Sequence, residues 1–219
     1  MTAPFIVYGI PGSPYVRKVL LGLEEKNLPW RLAALGFGEH KQPAHLARHP
    51  FGRMPVVDHG ETRLYEAQAI LRYLDRIAPT PALTPTDPVQ EARMNQICGI
   101  VDWYVIHDIS SPISFARVVA PKFGLPVDEA RVQAAIPRAE ICMGELSRLL
   151  GSQIFLAGDA LSLADLMLAP HLDVFVATDE AQPMFARHPN LRAWLGRMQA
   201  RPSMQATTWE RVTALAQAA

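Results

Sequence analysis

Residues 5–27, FIVYGIPGSPYVRKVLLGLEEKN, pass from a short apolar run, through a turn rich in glycine and proline, into a helical pattern. Phe5 to Tyr8 has the length of a buried strand, and GIPGSP is turn chemistry. Val16, Val19, Leu20 and Leu23 then recur at helical spacing, with Asn27 as the stop. A second short strand at Trp30 to Leu35 makes this a βαβ crossover, right-handed if the strands are parallel.

Working outward, residues 40–55, HKQPAHLARHPFGRMP, hold at most two turns of helix. VVD and TRLY then flank a His59-Gly60 turn, the pattern of an antiparallel hairpin. The run EAQAILRYLDRIAP closes the unit, with Ala69, Ile70, Tyr73, Leu74 and Ile77 as its expected buried stripe. Residues 1–79 therefore read as an α/β domain, and the proline- and threonine-rich residues 80–88 as a linker. Strand signals nearly vanish over 89–219. Helices are expected over 89–116, 128–151, 162–178 and 190–216, so the second domain reads as all-helical. Its best-written helix start is Ser162, with Asp165 as reciprocal partner and Leu161 and Leu166 as a hydrophobic staple, which is folding chemistry.

The chain has 219 residues and 21 basic against 21 acidic side chains, so no whole-protein field would hold a nucleic acid or an anionic membrane. MTAPFIVYG lacks a signal-peptide pattern, and no run approaches the roughly 20 apolar residues of a membrane span. A cytoplasmic location is the expectation. Cys98 and Cys142 have no CxxC spacing and read as buried reduced thiols. His45 and His49 stand four apart without a third ligand nearby, so no metal is expected.

A helix N-terminus gathers unpaired N–H groups and about half a positive charge, which stabilises anions. Ser13, at that junction, has two possible uses. As a cap it accepts a helix N–H, with Pro14 at the first helical position where a missing N–H does no harm. As a donor it holds a substrate thiolate over the helix start. A hydrogen bond to a charged group is worth about 1.5–3 kcal/mol, which at about 1.36 kcal/mol per unit lowers a thiol pKa by roughly one to two units. Met54-Pro55 sits where proline cannot donate to a strand ladder. An exposed Met backbone there, with the proline cis or trans, leaves its N–H and C=O free for an extended peptide. Glu66-Ala67 opens a helix, where Glu66 either complements the dipole or meets a substrate ammonium beside backbone N–H groups for a carboxylate. His40-Lys41 is either a solvated pair or a cradle for another carboxylate.

Taken together, SPYVRKVLLGLEEKNLPW, EHKQPAHLARHPFGRMPVVDHGETRLYEAQAILRYLDR and FLAGDALSLADLMLAPHL resemble the cytosolic glutathione transferases. The likeness is strongest to their plant phi-like and related bacterial serine-type members. The resemblance spans nearly the whole chain. It implies a thioredoxin-like first domain (βαβ, then ββα), an all-helical second domain, glutathione as co-substrate, no metal, and a homodimer with Phe51 at the interface. Position by position, it implies that Ser13 stabilises the glutathione thiolate and that His40 and Lys41 contact the glycine carboxylate. Met54 before a cis Pro55 would bind the cysteinyl part, Arg53 would stand where glutamine is common, and Glu66 would meet the γ-glutamyl end.

The family pattern usually has a serine directly after this acid, and here Ala67 stands there. One lost hydrogen bond to a charged group is again about 1.5–3 kcal/mol, or roughly ten- to a hundredfold in affinity. A glutathione conjugate or disulfide, whose second half adds contacts, becomes a stronger candidate ligand. Ile10, Pro11 and Tyr15 from the turn, with Trp103, Tyr104, His107 and Phe115 from the first long helix, are the expected walls for a hydrophobic electrophile, or else core. Conjugation leads the reading. Peroxide or disulfide reduction through the same thiolate, and a non-catalytic binding module on the same fold, are the alternatives.

Overall fold

The computed structural model describes residues 4–218. In chain order its elements are β1 (Phe5–Gly9), α1 (Pro14–Glu25), β2 (Trp30–Ala34), α2 (Pro43–Leu46), β3 (Val56–His59), β4 (Thr62–Tyr65) and α3 (Ala67–Ile77). The helices α4 (Pro88–Ile100), α5 (Glu129–Leu150), α6 (Leu163–Phe175), α7 (Ala181–Arg187), α8 (Pro189–Gln199), α9 (Pro202–Ala206) and α10 (Trp209–Ala218) follow. The described residues form two compact units, one of residues 4–83 with 200–218 and the other of residues 84–199.

The first unit is built on a sheet of order β2-β1-β3-β4. β1 pairs parallel with β2, placing Gly9 opposite Ala34. β3 runs antiparallel to both of its neighbours, placing Val56 opposite Tyr8 on one side and Tyr65 on the other. The C-terminal ends of β1, β2 and β4 and the start of β3 consequently share one edge of the sheet, and the segments around Ser13, His40, Met54 and Glu66 all leave from it. The hairpin turn is Gly60-Glu61, one residue later than expected, because His59 still pairs with Thr62.

α1 buries Val16, Val19, Leu20 and Leu23, as its spacing predicts. It packs against α3, which buries Ala67, Ile70, Leu71 and Leu74. The expected α3 stripe is thus one position off: Ala69 and Ile77 are exposed. Positions 67, 70, 71 and 74 keep the helical spacing that faces α1, whereas 66, 69, 73 and 77 trace the neighbouring row.

In the second unit, the Asp87 carboxylate caps α4 by accepting the N–H groups of Val89 and Gln90. α4 continues without a break into wider π-helical turns over Val101–Val119, and the N–H of Ala120 reaches back to the C=O of Phe115. The α6 start expected at Ser162 is present. Asp165, fully buried, accepts the Ser162 N–H at 2.9 Å and its hydroxyl at 2.8 Å. It also accepts the Leu156 N–H and the Trp194 Nε1–H, each at 2.9 Å. α7, which the sequence pattern did not suggest, is one short helix carrying Pro183.

Residues 200–218, read from sequence as part of the helical domain, cluster with the first unit. Their anchors lie on α1. The Glu25 carboxylate accepts Arg201 Nε–H at 2.8 Å, Arg201 Nη2–H at 2.7 Å and the Ser203 hydroxyl. Arg17 donates to the Met204 C=O at 2.9 Å and to Thr207 Oγ1 at 3.3 Å. Burial pushes the Glu25 carboxyl up, but the hydrogen bonds from Arg201 and Ser203 and the Arg201 charge outweigh it, so the group sits below its ordinary value.

Candidate functional site

Ser13 stands at the N-cap position of α1 with extended backbone (φ −64°, ψ 123°), and Pro14 follows at the first helical position. Its side chain makes no capping hydrogen bond. The capping use of Ser13 therefore drops out, and the hydroxyl is left to the helix start. The turn is held from the backbone, with the Ser13 N–H donating to the Ile10 C=O at 3.1 Å. The Ile10 N–H donates to Met54 Sδ at 3.4 Å, which joins this turn to the loop before β3. Gly12, at φ +82°, has no room for a side chain: a Cβ there would lie 2.1 Å from Cδ2 of Trp209.

The Met54-Pro55 peptide bond is cis, as the resemblance implies. Arg53 and Lys41 are exposed, and Lys41 packs its stem near Gly52. His45 and His49 are buried, with ring centroids 6.4 Å apart. His45 donates its Nε2–H to the Arg53 C=O at 2.7 Å, which fixes the loop that presents Met54. Burial is the main force that lowers the His40 pKa, and the charges of Lys41, His45 and Arg53 add to it. Burial also lowers the His49 pKa, against the opposing pull of Glu66. Among the described residues, no group of three or more His, Cys, Asp or Glu side chains is arranged to hold a metal ion.

Glu66 is exposed and takes φ +70°, ψ 112°, a conformation that side chains rarely adopt. Its C=O accepts the Ile70 N–H, which closes the first turn of α3. Ala67 is buried. Ser13, His40, Lys41, Arg53, Met54, Pro55, Glu66 and Ala67 are thus gathered by the four strand ends at one edge of the sheet, with Ile10, Pro11 and Tyr15 half-buried beside them.

Trp103, Tyr104, His107 and Phe115 belong to the other unit, where Trp103 is 62% and Tyr104 49% exposed. They are not core of that unit. The rings of Trp103 and His107 lie 4.6 Å apart, and His107 donates Nδ1–H to the Trp103 C=O. Both cysteines are buried, and burial, with the Asp108 charge adding to it, pushes the Cys142 thiol up to about 12. No helix among the described residues is long and apolar enough to cross a membrane. The residue that sequence reasoning missed at this site is Trp209, which lies 197 positions from Gly12 and carries no local signal of the contact.

A serine at a helix start, a cis-proline loop and an acid at positive φ, all at one end of a four-stranded mixed sheet and followed by a helical region, define a thioredoxin-like domain joined to a helical one. Residues 7–82 match the profile of the glutathione S-transferase N-terminal domain, and residues 129–197 that of its C-terminal domain. The chain belongs to the glutathione S-transferase family and is an enzyme of that class. It is 31% identical over 207 residues to probable glutathione S-transferase GSTF1 of Oryza sativa subsp. japonica, covering 92% of this chain and 94% of that one. It is 33% identical over 211 residues to glutathione S-transferase 4 of Zea mays, covering 93% and 92%. Among solved structures, glutathione S-transferase III in its apo form superposes with a TM-score of 0.83 at 30% identity, covering 97% of each chain. Glutathione S-transferase-I bound with lactoylglutathione gives 0.82 at 27% identity, covering 97% of this chain and 100% of that one.

Proposed function

We propose that this enzyme is of the serine type: the Ser13 hydroxyl and the N-terminus of α1 hold the glutathione sulfur as a thiolate for attack on a hydrophobic electrophile. The observation that carries this reading is the uncapped state of Ser13, a serine in the capping position whose side chain makes no cap. Its Oγ–H donates to the sulfur, and the helix N–H groups and dipole favour the negative charge. The thiol proton leaves to solvent, a sulfur–carbon bond forms, and the leaving group departs. The two cysteines are buried in the other unit, so no protein thiol takes part at this turn.

The remaining residues hold the tripeptide. Lys41, with His40 beside it, takes the glycine carboxylate. The Met54 backbone pairs with the cysteinyl part, Arg53 adds charge at the same loop, and Glu66 takes the γ-glutamyl ammonium. The positive end of the α3 dipole favours the γ-glutamyl carboxylate without the help of a hydroxyl at Ala67. Ile10, Pro11 and Tyr15 are the apolar residues beside the serine turn, and the exposed Trp103, Tyr104, His107 and Phe115 are the helical unit's candidates for binding a hydrophobic electrophile. A relative of the same fold is known with lactoylglutathione, a conjugate, which supports conjugates as ligands here. The enzyme acts in the cytoplasm as a homodimer, with Phe51, 68% exposed, as an apolar key into the second copy.

Purified protein passed over immobilised glutathione and assayed with a chlorodinitrobenzene-type electrophile tests the reading. Retention and a measurable rate are expected, with Ser13→Ala losing about ten- to a hundredfold of that rate, the equivalent of one to two pKa units in the bound thiol. An unchanged rate in Ser13→Ala sinks the thiolate role.

A further inference from the structure

We infer that Trp209 is a positioning residue for Ser13: its indole fills the place of a side chain on Gly12 and thereby fixes the turn that aims the Ser13 hydroxyl. A Cβ built on Gly12 falls 2.1 Å from Cδ2 and 2.5 Å from both Cε2 and Cε3 of Trp209, so the indole occupies the place that a Gly12 side chain would take. Gly12 stands at φ +82°, a conformation that glycine alone adopts without cost, and the next peptide carries Ser13.

The indole is held there from α1 itself. Arg17, in the first turns of α1, donates to the Met204 C=O and to Thr207 Oγ1, two residues before Trp209. Glu25, at the far end of α1, takes Arg201 and Ser203. Thr207 and Val212 are buried on either side, and α10 packs against β2. The helix whose N-terminus carries the serine thus also carries the clamps that press the ring on the serine's turn. Gly12 and Trp209 form a matched pair, because a side chain at position 12 and the ring cannot occupy one volume.

The role rests on the proposed use of Ser13, and two readouts separate the two claims. The first is the pH profile of kcat/KM for the electrophile at saturating glutathione, which reports the ionisation of the bound thiol. Trp209→Ala is expected to move that profile upward by about half a unit to one unit, a loss of roughly three- to tenfold in rate at a pH below the new midpoint. KM for glutathione should hold to within about twofold, and Trp209→Phe, which keeps a flat ring over Gly12, should recover most of the loss. The second is amide hydrogen exchange at Ser13 without ligand, expected to quicken in Trp209→Ala and to return towards the original rate in Trp209→Phe.

An unmoved pH profile in Trp209→Ala overturns the inference, as does a rate loss with unchanged Ser13 exchange. If Trp209→Ala proves too unstable to purify, Trp209→Leu against Trp209→Phe makes the same comparison of a flat ring with an aliphatic chain. If Ser13→Ala itself keeps full rate, the thiolate reading fails. Exchange at Ser13 then still decides whether Trp209 holds the turn, faster exchange supporting it and unchanged exchange refuting it.

Discussion

At Glu66 a charged, exposed residue occupies φ +70°, ψ 112°. Such a backbone costs of order 1–3 kcal/mol and persists only where its surroundings over-determine it. What the conformation achieves is a sharp passage from β4, ending at Tyr65, into α3, starting at Ala67, with a carboxylate at the junction. Ala67, next in line, offers no hydroxyl. Ala67→Ser is expected to tighten glutathione binding about tenfold or more, read by isothermal titration, since one hydrogen bond to a carboxylate is restored. An affinity that stays level or falls would mean that the γ-glutamyl end is held elsewhere. Ser13 and Glu66 were legible in the sequence because both stand in local grammar, a turn or strand end followed by a helix. The torsion of Glu66 was not, because it depends on how β4 meets α3.

Among the elements, the start of α6 shows how far local grammar reaches. The sequence displays Ser162 and Asp165 as a capping pair, for which loss of the cap costs about 0.5–2 kcal/mol. The structure gives Asp165 two more donors, the Leu156 N–H and the Trp194 indole, both buried and both from other segments. Removing the carboxylate strands four donors in the interior, where each unsatisfied group costs about 1–3 kcal/mol. Asp165→Ala is therefore expected to destabilise the protein by about 3–5 kcal/mol, lowering the midpoint of thermal unfolding by roughly 6–20 °C in calorimetry. A shift of only a degree or two would show that the residue acts as a helix cap and nothing more. α7 escaped notice for the opposite reason: it is short, contains Pro183, and takes its definition from Met184 and Phe185 packing into the core of its unit. The α3 stripe was legible to within one row of the helix. With Ala67, Ala69, Ile70, Leu71, Leu74 and Ile77 spread around much of the helix, apolar identity alone does not say which row faces α1.

For the whole molecule, the order of folds along the chain was readable from the change in periodicity after the proline-rich segment. The return of the last residues to the first unit was not, because its anchors on Arg17 and Glu25 link positions far apart in sequence. Phe51 belongs to this scale too. Its ring stands 6.0 Å from His49 and 6.5 Å from Tyr65, edge-on to both, while the bulk of it is exposed. Phe51→Ser is expected to shift gel filtration from a dimer to a monomer, with each protomer's far-ultraviolet circular dichroism unchanged. An elution volume identical to that of the original protein would remove Phe51 from the interface.

The return of the chain also sets a schedule for synthesis. A ribosome adding about 5–20 residues per second reaches Trp209 roughly 10–40 s after it has passed Gly12. During that interval the sheet and α1 can form, but the clamp of α9 on α1 and the packing of α10 on β2 do not yet exist. The nascent first unit waits with its serine turn unpressed until the final segment is released, so a chain stopped short of Trp209 would carry every residue of the sheet-edge site and still lack the part that finishes it.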